Sequence, residues 1–424
     1  MDNPFVTKGY AGPEYFCDRV VETKQLVELT TNGNNMALIS PRRVGKTDLI
    51  FHCFQQPEIK DRYYTFRIDI YATNSLRDFV NVFGQSVMNA LKPKGKTVWE
   101  GFLSVLRSIR SQITFDINNM PVWSLGLGDI ENPDVTLDEI FEYLSHADKP
   151  CMVAVDEFQQ ITRYPDAFKV EALLRTYIQR CVNATFIFAG SKRHLMGEIF
   201  TSPSRPFYQS VLIMNLKPIS VDKYTEFARM QFSKFGKQID DGVVADIYER
   251  FDAVTSCIQR VLNVLFLKTL PGHCCTTDMV EDAINYILDM LSETYSDLLD
   301  KIPEKQREVF VAIAREGKAR SVTGKNFIKR YHLQTVSVVI PIRVINVMAP
   351  DKALFLSMFY STNPELSLSV LIVAYYVPVI KKPVEVPKLQ ISSTLGSSNR
   401  QNPGWTKATG CAILFKISNC ERMR

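Results

Sequence analysis

The sequence predicts an α/β fold: a parallel sheet with helices on both faces, followed by an all-helical domain and a shorter helical piece. Three observations carry this reading. Apolar runs at Met36–Ser40, Tyr64–Ile70, Cys151–Val155, Ala184–Ala189 and Val211–Leu216 alternate with helical periodicity, and near-continuous apolar strands belong to sheets covered on both faces. Three of these runs end in polar residues, at Ser40, at Asp156-Glu157 and at Gly190-Ser191, at the strand ends where α/β sheets bind ligands. From Ser220 to Leu299 the strand texture gives way to helical periodicity throughout.

The first 35 residues are a polar lead-in broken by Gly9, Gly12 and Pro13, before a helical pattern over Asp18–Thr30. The strand Met36–Ser40 runs into Ser40-Pro-Arg-Arg-Val-Gly-Lys-Thr47, and a helix is expected over Asp48–Phe54. After the strand Tyr64–Ile70, helical periodicity covers Leu76–Leu91 and Val98–Ile113. Gly, Pro and Asn interrupt 116–135, and Leu137–Ser145 is helical again. A helix over 168–180 separates the third and fourth strands. Segments near 222–235, 241–250, 257–269 and 277–299 make up the helical domain. Pro303-Glu304 opens a further helix to about Glu316, and Ser321–Tyr331 reads as a short one. The expected domains are 1–219, 220–300, 301–335 and a tail, 336–424.

A length of 424 residues leaves room for two or three domains, and 46% hydrophobic with 22% charged residues is the balance of a globular chain. Disordered, collagen-like and multi-span membrane classes are excluded. The net charge of +5 is unevenly placed. Of 50 Lys+Arg and 45 Asp+Glu, ten and four fall in 336–424, leaving 40 and 41 in the rest. The body is therefore neutral, and its charge gives no support to a nucleic-acid partner. Nine cysteines with no C-x-x-C pair argue against a disulfide framework or a zinc site, and His273-Cys274-Cys275 reads as a loop. Met-Asp-Asn-Pro is no signal peptide, and the longest apolar stretch, Leu366–Ile380, is too short for a bilayer. A cytoplasmic chain without membrane association is expected.

Ser40–Thr47 departs from the phosphate-binding pattern G-x-x-x-x-G-K-[ST] only at Ser40, while Gly45, Lys46 and Thr47 match. A loop leading from a strand into a helix N-terminus turns consecutive N–H groups inward, and the helix dipole adds positive potential. Ser40, Arg42, Arg43, Val44, Gly45, Lys46, Thr47 and Asp48 are thus the candidate nucleotide-binding residues. Gly45 lets the backbone approach phosphate, Lys46 reaches the β- and γ-phosphates, and Thr47 offers a hydroxyl to Mg²⁺. The second half of the site is Cys151-Met-Val-Ala-Val-Asp-Glu157. Asp156 is the second metal candidate, and Glu157 the base that orients and deprotonates the attacking water. Ser191, ending the next strand, is placed to align that water or sense the γ-phosphate. Lys192, Arg193 and Arg205 are nearby cations, with Arg205 the candidate for the transferring phosphoryl group. A predicted strand between the two motifs points to a P-loop NTPase of the additional-strand type. No N-K-x-D guanine motif stands out, which favours ATP.

On these motifs the chain resembles the prokaryotic AAA-type ATPases of the signal-transducing (STAND) superclass, in the archaeal and bacterial group that joins an ATPase domain to a winged helix. The likeness rests on Asn3-Pro-Phe5, Phe16-Cys-Asp-Arg19 with Glu22, Ser40–Thr47, Val155-Asp-Glu-Phe-Gln159, Ala189-Gly-Ser191 and Arg205-Pro-Phe-Tyr208, and spans about Met1 to Gln334. It implies that Phe5, Phe16 and Arg19 help to enclose adenine. It also implies that 220–300 is a lid, that 301–334 begins a winged helix, and that nucleotide state is coupled to conformation or homo-oligomerisation. Asp252–Ile258 lacks the glycine, proline and aromatic residue usual at the lid, so the resemblance brings no lid contact with nucleotide to this chain.

A winged helix should continue past Tyr331. Instead helical periodicity stops, acids thin out, and seven of the 21 prolines fall in 336–424. We read 336–424 as a shifted reading frame, with a divergent β-rich module as the alternative; the gene's other frames decide between them. The leading function is a Mg²⁺-dependent ATPase switch with an unidentified protein partner. A nucleic-acid-binding regulator using Lys325, Lys329 and Arg330 is the competing class. A protein–protein scaffold using Trp123, Phe158 and Tyr208 is the third, although these aromatics read more readily as core or site lining.

Overall fold

Met36–Ile39 forms β1, and all four of its side chains are buried. It pairs in parallel with β6 (Ala184–Gly190) on one side and β7 (Leu212–Asn215) on the other. β5 (Cys151–Asp156), also buried throughout, pairs with β6, and β2 (Tyr64–Asp69) lies beyond it. The parallel sheet therefore has the order β2-β5-β6-β1-β7. The strand inserted between the two motif strands is β6. The strand that lies between the motifs in sequence, β2, goes to the edge. The computed structural model describes residues 3–91, 108, 114–115, 121–122, 130–300, 303–304, 307–309, 311–312 and 324–333.

The period-2 alternation of strand side chains splits the sheet's apolar residues between two cores. Ala37, Ile39, Val153, Val155, Phe186 and Phe188 face one core, while Met36, Leu38, Met152, Ala154, Ile187 and Ala189 face the other. The helices that cover these faces are α1 (Val20–Thr31), α2 (Lys46–Phe54), α3 (Leu76–Ala90), α4 (Pro133–Ser145), α5 (Ala167–Arg180) and α6 (Arg193–Thr201). Ser75 caps α3 by accepting from the Asp78 N–H. The helix α6 carries no side-chain cap at Lys192, which removes the start signal that sequence reading depends on, yet Met196, Ile199 and Phe200 bury one face of it. The helix expected over 98–113 and Trp123 lie outside the described residues, except for Ser108. Two short strands, β3 (Thr114–Phe115) and β4 (Pro121–Val122), pair antiparallel.

Beyond the sheet, α7 (Val221–Lys234), α8 (Asp241–Arg250), α9 (Thr255–Lys268) and α10 (Asp278–Asp300) enclose a separate apolar core. Phe5 is fully buried in that core, with its ring 5.6 Å from Phe232, 5.8 Å from Phe266 and 6.0 Å from Phe227. Asn3 donates to the Asn263 carbonyl, and Asn263 donates back to the Phe5 carbonyl. The N-terminal segment is thus a fifth component of the helical domain. The Cys274-Cys275 pair is not a loop. It forms β9 (Cys274–Cys275), in parallel register with β8 (Gln238–Ile239), because the adjacent Gln238 and Asp240 N–H groups find the His273 and Cys275 carbonyls. The seven cysteines described are all free.

Further on, the described positions Glu304, Arg307–Val309 and Val311–Ala312 are helical, as is α11 (Lys325–Arg330). Residues 336–424, including the proposed frame change, lie outside the described residues. No helix among the described residues is long and apolar enough to cross a membrane.

Candidate functional site

The end of β1 feeds the chain directly into α2, and the residues between them form the phosphate loop. Arg43 and Gly45 both adopt left-handed backbone, at φ 67° and 88°, and Gly45 caps α2 without a side-chain bond. At Gly45 a Cβ would be strained, which explains why glycine stands there. Lys46 is 7% exposed, and its Nζ donates to the Ser40 and Pro41 carbonyls at 3.2 and 3.1 Å. Burial pushes the Lys46 ammonium below its ordinary value, against the pull of Asp156 and Glu157. Arg19 holds the loop from outside, donating to the Val44 carbonyl at 3.2 Å and pairing with Glu22 at 2.7 Å. The Arg43 carbonyl accepts from the Ser256 N–H at 3.3 Å, a direct link between the loop and the start of α9.

β5 delivers its acids to the same place. Thr47 Oγ1 donates to Asp156 Oδ2 at 2.8 Å, across 109 positions of sequence. Two hard oxygen donors converge here. Mg²⁺ suits one or two protein oxygens with water and phosphate completing its shell, so the residues present fit that ion. Among the described residues there is no cluster of three or more His, Cys, Asp or Glu that would hold a metal by itself. The same Asp156 oxygen accepts from Arg67 Nη1 at 2.9 Å, and Asp69 lies 3.4 Å from that nitrogen. Arg67 was not among the expected residues, although its signal is present: in Tyr64-Thr-Phe-Arg-Ile-Asp-Ile70 the apolar residues alternate with Thr65, Arg67 and Asp69, which share one face.

Glu157 is left-handed at φ 54°, a conformation that costs roughly 1–2 kcal/mol for a residue with a Cβ. It is held there by several contacts. Its N–H donates to Asp156 Oδ1 at 3.0 Å, its carboxylate accepts from Ser191 Oγ at 3.1 Å, and Gln159 Nε2 donates to the same carboxylate. Arg42 reaches both partners, lying 3.9 Å from Glu157 Oε1 and donating to Ser191 Oγ at 3.4 Å. Lys192, beside this group, is pushed down by burial and by Arg163 and Arg42. Gly190 makes the arrangement possible, since a Cβ there would collide with Met196 and with Gln159 Oε1. Gly190→Ala is therefore expected to destabilise the fold by about 1–3 kcal/mol, read as a lower urea midpoint, and to slow turnover by displacing Gln159 from Glu157.

A cleft beside the loop is lined by Gly45 and Asp48 on one side, Tyr10, Phe16 and Arg19 from the N-terminal segment, and Tyr224, Thr255 and Gln259 from the helical domain. Burial raises the Asp48 carboxyl, opposed by Arg67. Phe16 stacks on His52 with ring centres 4.3 Å apart, and Tyr10 Oη bonds His52 Nδ1 at 2.8 Å. Burial lowers the His52 imidazole from its ordinary value. Tyr10, His52, Tyr224, Thr255 and Gln259 carry no motif and escape sequence reading.

Two expected residues stand elsewhere. Phe5 does not line the cleft; its ring fills the helical core, because three aromatic rings there offer it full burial. Arg205 does not join Lys46 and Glu157. Its guanidinium pairs with Glu171 and lies 3.7 Å from Glu198, since Phe207, two residues on, is locked into an aromatic cluster with Phe158, Phe188 and Phe200. Glu171 is fully buried, and burial pushes its carboxyl up to about 7 against the opposing pull of Arg205. The folded state thus favours the neutral acid. That contribution to stability is complete below about pH 4.5 and is lost as pH rises to about 7. Arg205→Ala removes the partner of this carboxyl, which then stays protonated at neutral pH, and is expected to cost about 1–3 kcal/mol there. The loss shrinks below pH 7 as Glu171 protonates in the wild type too, which urea unfolding across that range measures.

With this geometry established, residues 16–261 match the family described as an ATPase domain predominantly from Archaea, and residues 293–342 match one described as a probable winged helix domain. No curated protein matches the chain. Among solved structures, the chain is similar to the Walker-type ATPase PABY2304 of Pyrococcus abyssi, at 16% identity over 84% of this chain and 99% of that one, with a TM-score of 0.54. The Aeropyrum pernix ORC2 protein, solved with ADPNP and ADP, follows at 12% identity, 82% and 89% coverage and a TM-score of 0.48. The Aeropyrum pernix ORC1 protein in complex with DNA gives 13%, 80% and 85%, and 0.47.

Proposed function

The chain belongs to the family of ATPase domains found predominantly in Archaea and is an ATP hydrolase of the P-loop type, and from that premise we infer that it works as a Mg²⁺-dependent switch of the AAA/STAND kind. The observation that carries the assignment of residues is the contact of Thr47 with Asp156 beside Glu157, at the ends of two parallel strands, β1 and β5, that flank β6. Gly45, Arg43 and the first N–H groups of α2 receive the phosphates. Lys46 leaves its two carbonyls for phosphate oxygens. Thr47 and Asp156 hold Mg²⁺, which when bound neutralises charge on the β- and γ-phosphate oxygens. Glu157 takes the proton of the attacking water, and Ser191 and Gln159 set the direction of its carboxylate. The base lies in the cleft between Phe16 and the lid.

Coupling to shape is supported by the route from loop to lid: Arg43 bonds the first turn of α9, while Asn3 and Phe5 bind the lid core. In this reading a change at the phosphates is passed through these contacts to the helical domain. A cytoplasmic, self-associating protein with a further protein partner follows as part of this reading. The winged-helix match over 293–342 supports a second one, in which DNA is the partner. One experiment covers both: ATP turnover with and without duplex DNA, alongside native mass in ATP and ADP. A mass or hydrodynamic radius that differs between nucleotides supports the switch. Identical values in both, together with turnover stimulated by DNA in a salt-dependent way, favour the second reading.

A further inference from the structure

Buried polar atoms in folded proteins are nearly always paired, and leaving one unpaired costs about 1–3 kcal/mol. Among the described residues, Gln259 Oε1, Thr255 Oγ1 and Tyr224 Oη are buried without a hydrogen-bond partner. The Tyr224 and Thr255 hydroxyls lie near enough to influence each other, but without hydrogen-bond geometry. All three residues line the cleft that begins at Gly45. Thr255 and Gln259 are four residues apart on α9 and share one face of it. Tyr224, wholly buried, reaches the same wall from α7. Three partnerless groups from two helices facing one cleft have no structural use as they stand, and they match what a polar ligand edge requires.

We propose that Gln259, backed by Thr255 and Tyr224, reads the base of the bound nucleotide, with its Oε1 accepting a hydrogen bond from the exocyclic amine of adenine. This rests on the nucleotide reading of the cleft. The unpaired Gln259 atom is an acceptor. Adenine presents a donor at purine C6, whereas guanine presents a carbonyl oxygen there. Phe16, stacked on His52 at the N-terminal side of the same cleft, supplies an aromatic surface that contacts any base, so the edge contact is what discriminates. A site built to bond a polar group rejects the analogue lacking it, because its own buried atom is then left unpaired. The lid thereby senses nucleotide through Thr255 and Gln259 although it lacks the glycine and proline expected there.

The test is equilibrium binding, by titration calorimetry on the full chain, of ATP and of purine riboside triphosphate, which lacks only the 6-amino group. The wild type is expected to prefer ATP by about tenfold, the scale of one buried hydrogen bond. Gln259→Leu is expected to weaken ATP to the level of the analogue, bringing the ratio to about one, while the analogue's affinity changes by less than about threefold. If Gln259→Leu does not fold, Gln259→Met, closer in length, makes the same comparison. A variant that keeps the wild-type ratio, or a wild type with no preference, overturns the inference alone. A wild type that binds neither triphosphate overturns the nucleotide reading of the cleft as well.

Discussion

Lys46→Ala is expected to lower ATP affinity by at least about 100-fold while leaving the fold intact. The Lys46 ammonium is almost wholly desolvated, and in this structure its Nζ donates to the Ser40 and Pro41 carbonyls. Phosphate oxygens are stronger acceptors than carbonyls, and charge-assisted bonds contribute about 1.5–3 kcal/mol each. Loss of two such bonds exceeds the ~2.7 kcal/mol that corresponds to 100-fold. The variant also removes a charge that burial disfavours, so its melting temperature should stay close to that of the wild type. Calorimetric titration with ATP and a thermal melt check the two halves together. A lower affinity accompanied by a collapsed melt would signal a folding defect instead.

Glu157→Gln is expected to separate binding from chemistry. The amide keeps an oxygen for the Ser191 hydroxyl, now 3.1 Å from the carboxylate, and remains the right size for the Gln159 contact. It cannot take a proton from water. Removal of a positioned base lowers rate by about 10²–10⁴-fold, so turnover should fall by that range with ATP affinity within about threefold of wild type. The two variants together assign separate roles to residues 111 positions apart in the sequence.

Much of the site was legible because its parts are contiguous. Ser40–Thr47 and Val155–Glu157 are short runs that the structure brings together at Thr47 and Asp156, and a strand leading into a loop places each run without reference to the rest of the chain. What escaped recognition depends on side chains brought together from distant elements. Arg67 reaches Asp156 only because β2 pairs with β5. Gln159 matters because Gly190, on β6, leaves room for it. The reverse error has the same origin. Phe5 sits beside a cleft-forming segment, but three aromatic rings in the helical domain compete for it and win. Arg205 is in the right sequence neighbourhood for chemistry, yet a buried Glu171 claims it. Local pattern does not reveal such competition, since the outcome depends on which partner offers more burial or the opposite charge.

The fold was legible wherever one periodicity dominated. All five strands of the main sheet stand close to their expected positions. The order β2-β5-β6-β1-β7 was not contained in any single segment, because parallel neighbours are decided by the crossovers between them. β8 and β9 were hidden for a related reason: two-residue strands have no pattern of their own and exist only as a pair.

The most direct test of the whole account is phosphate release from ATP by the purified full chain, measured with Mg²⁺, with EDTA, and in the Lys46→Ala and Glu157→Gln variants. Steady release is expected with Mg²⁺, falling to background in the other three conditions. Release that persists in EDTA or in Lys46→Ala would contradict this expectation, because hydrolysis would then be taking place without Thr47, Asp156 and Lys46 acting as assigned.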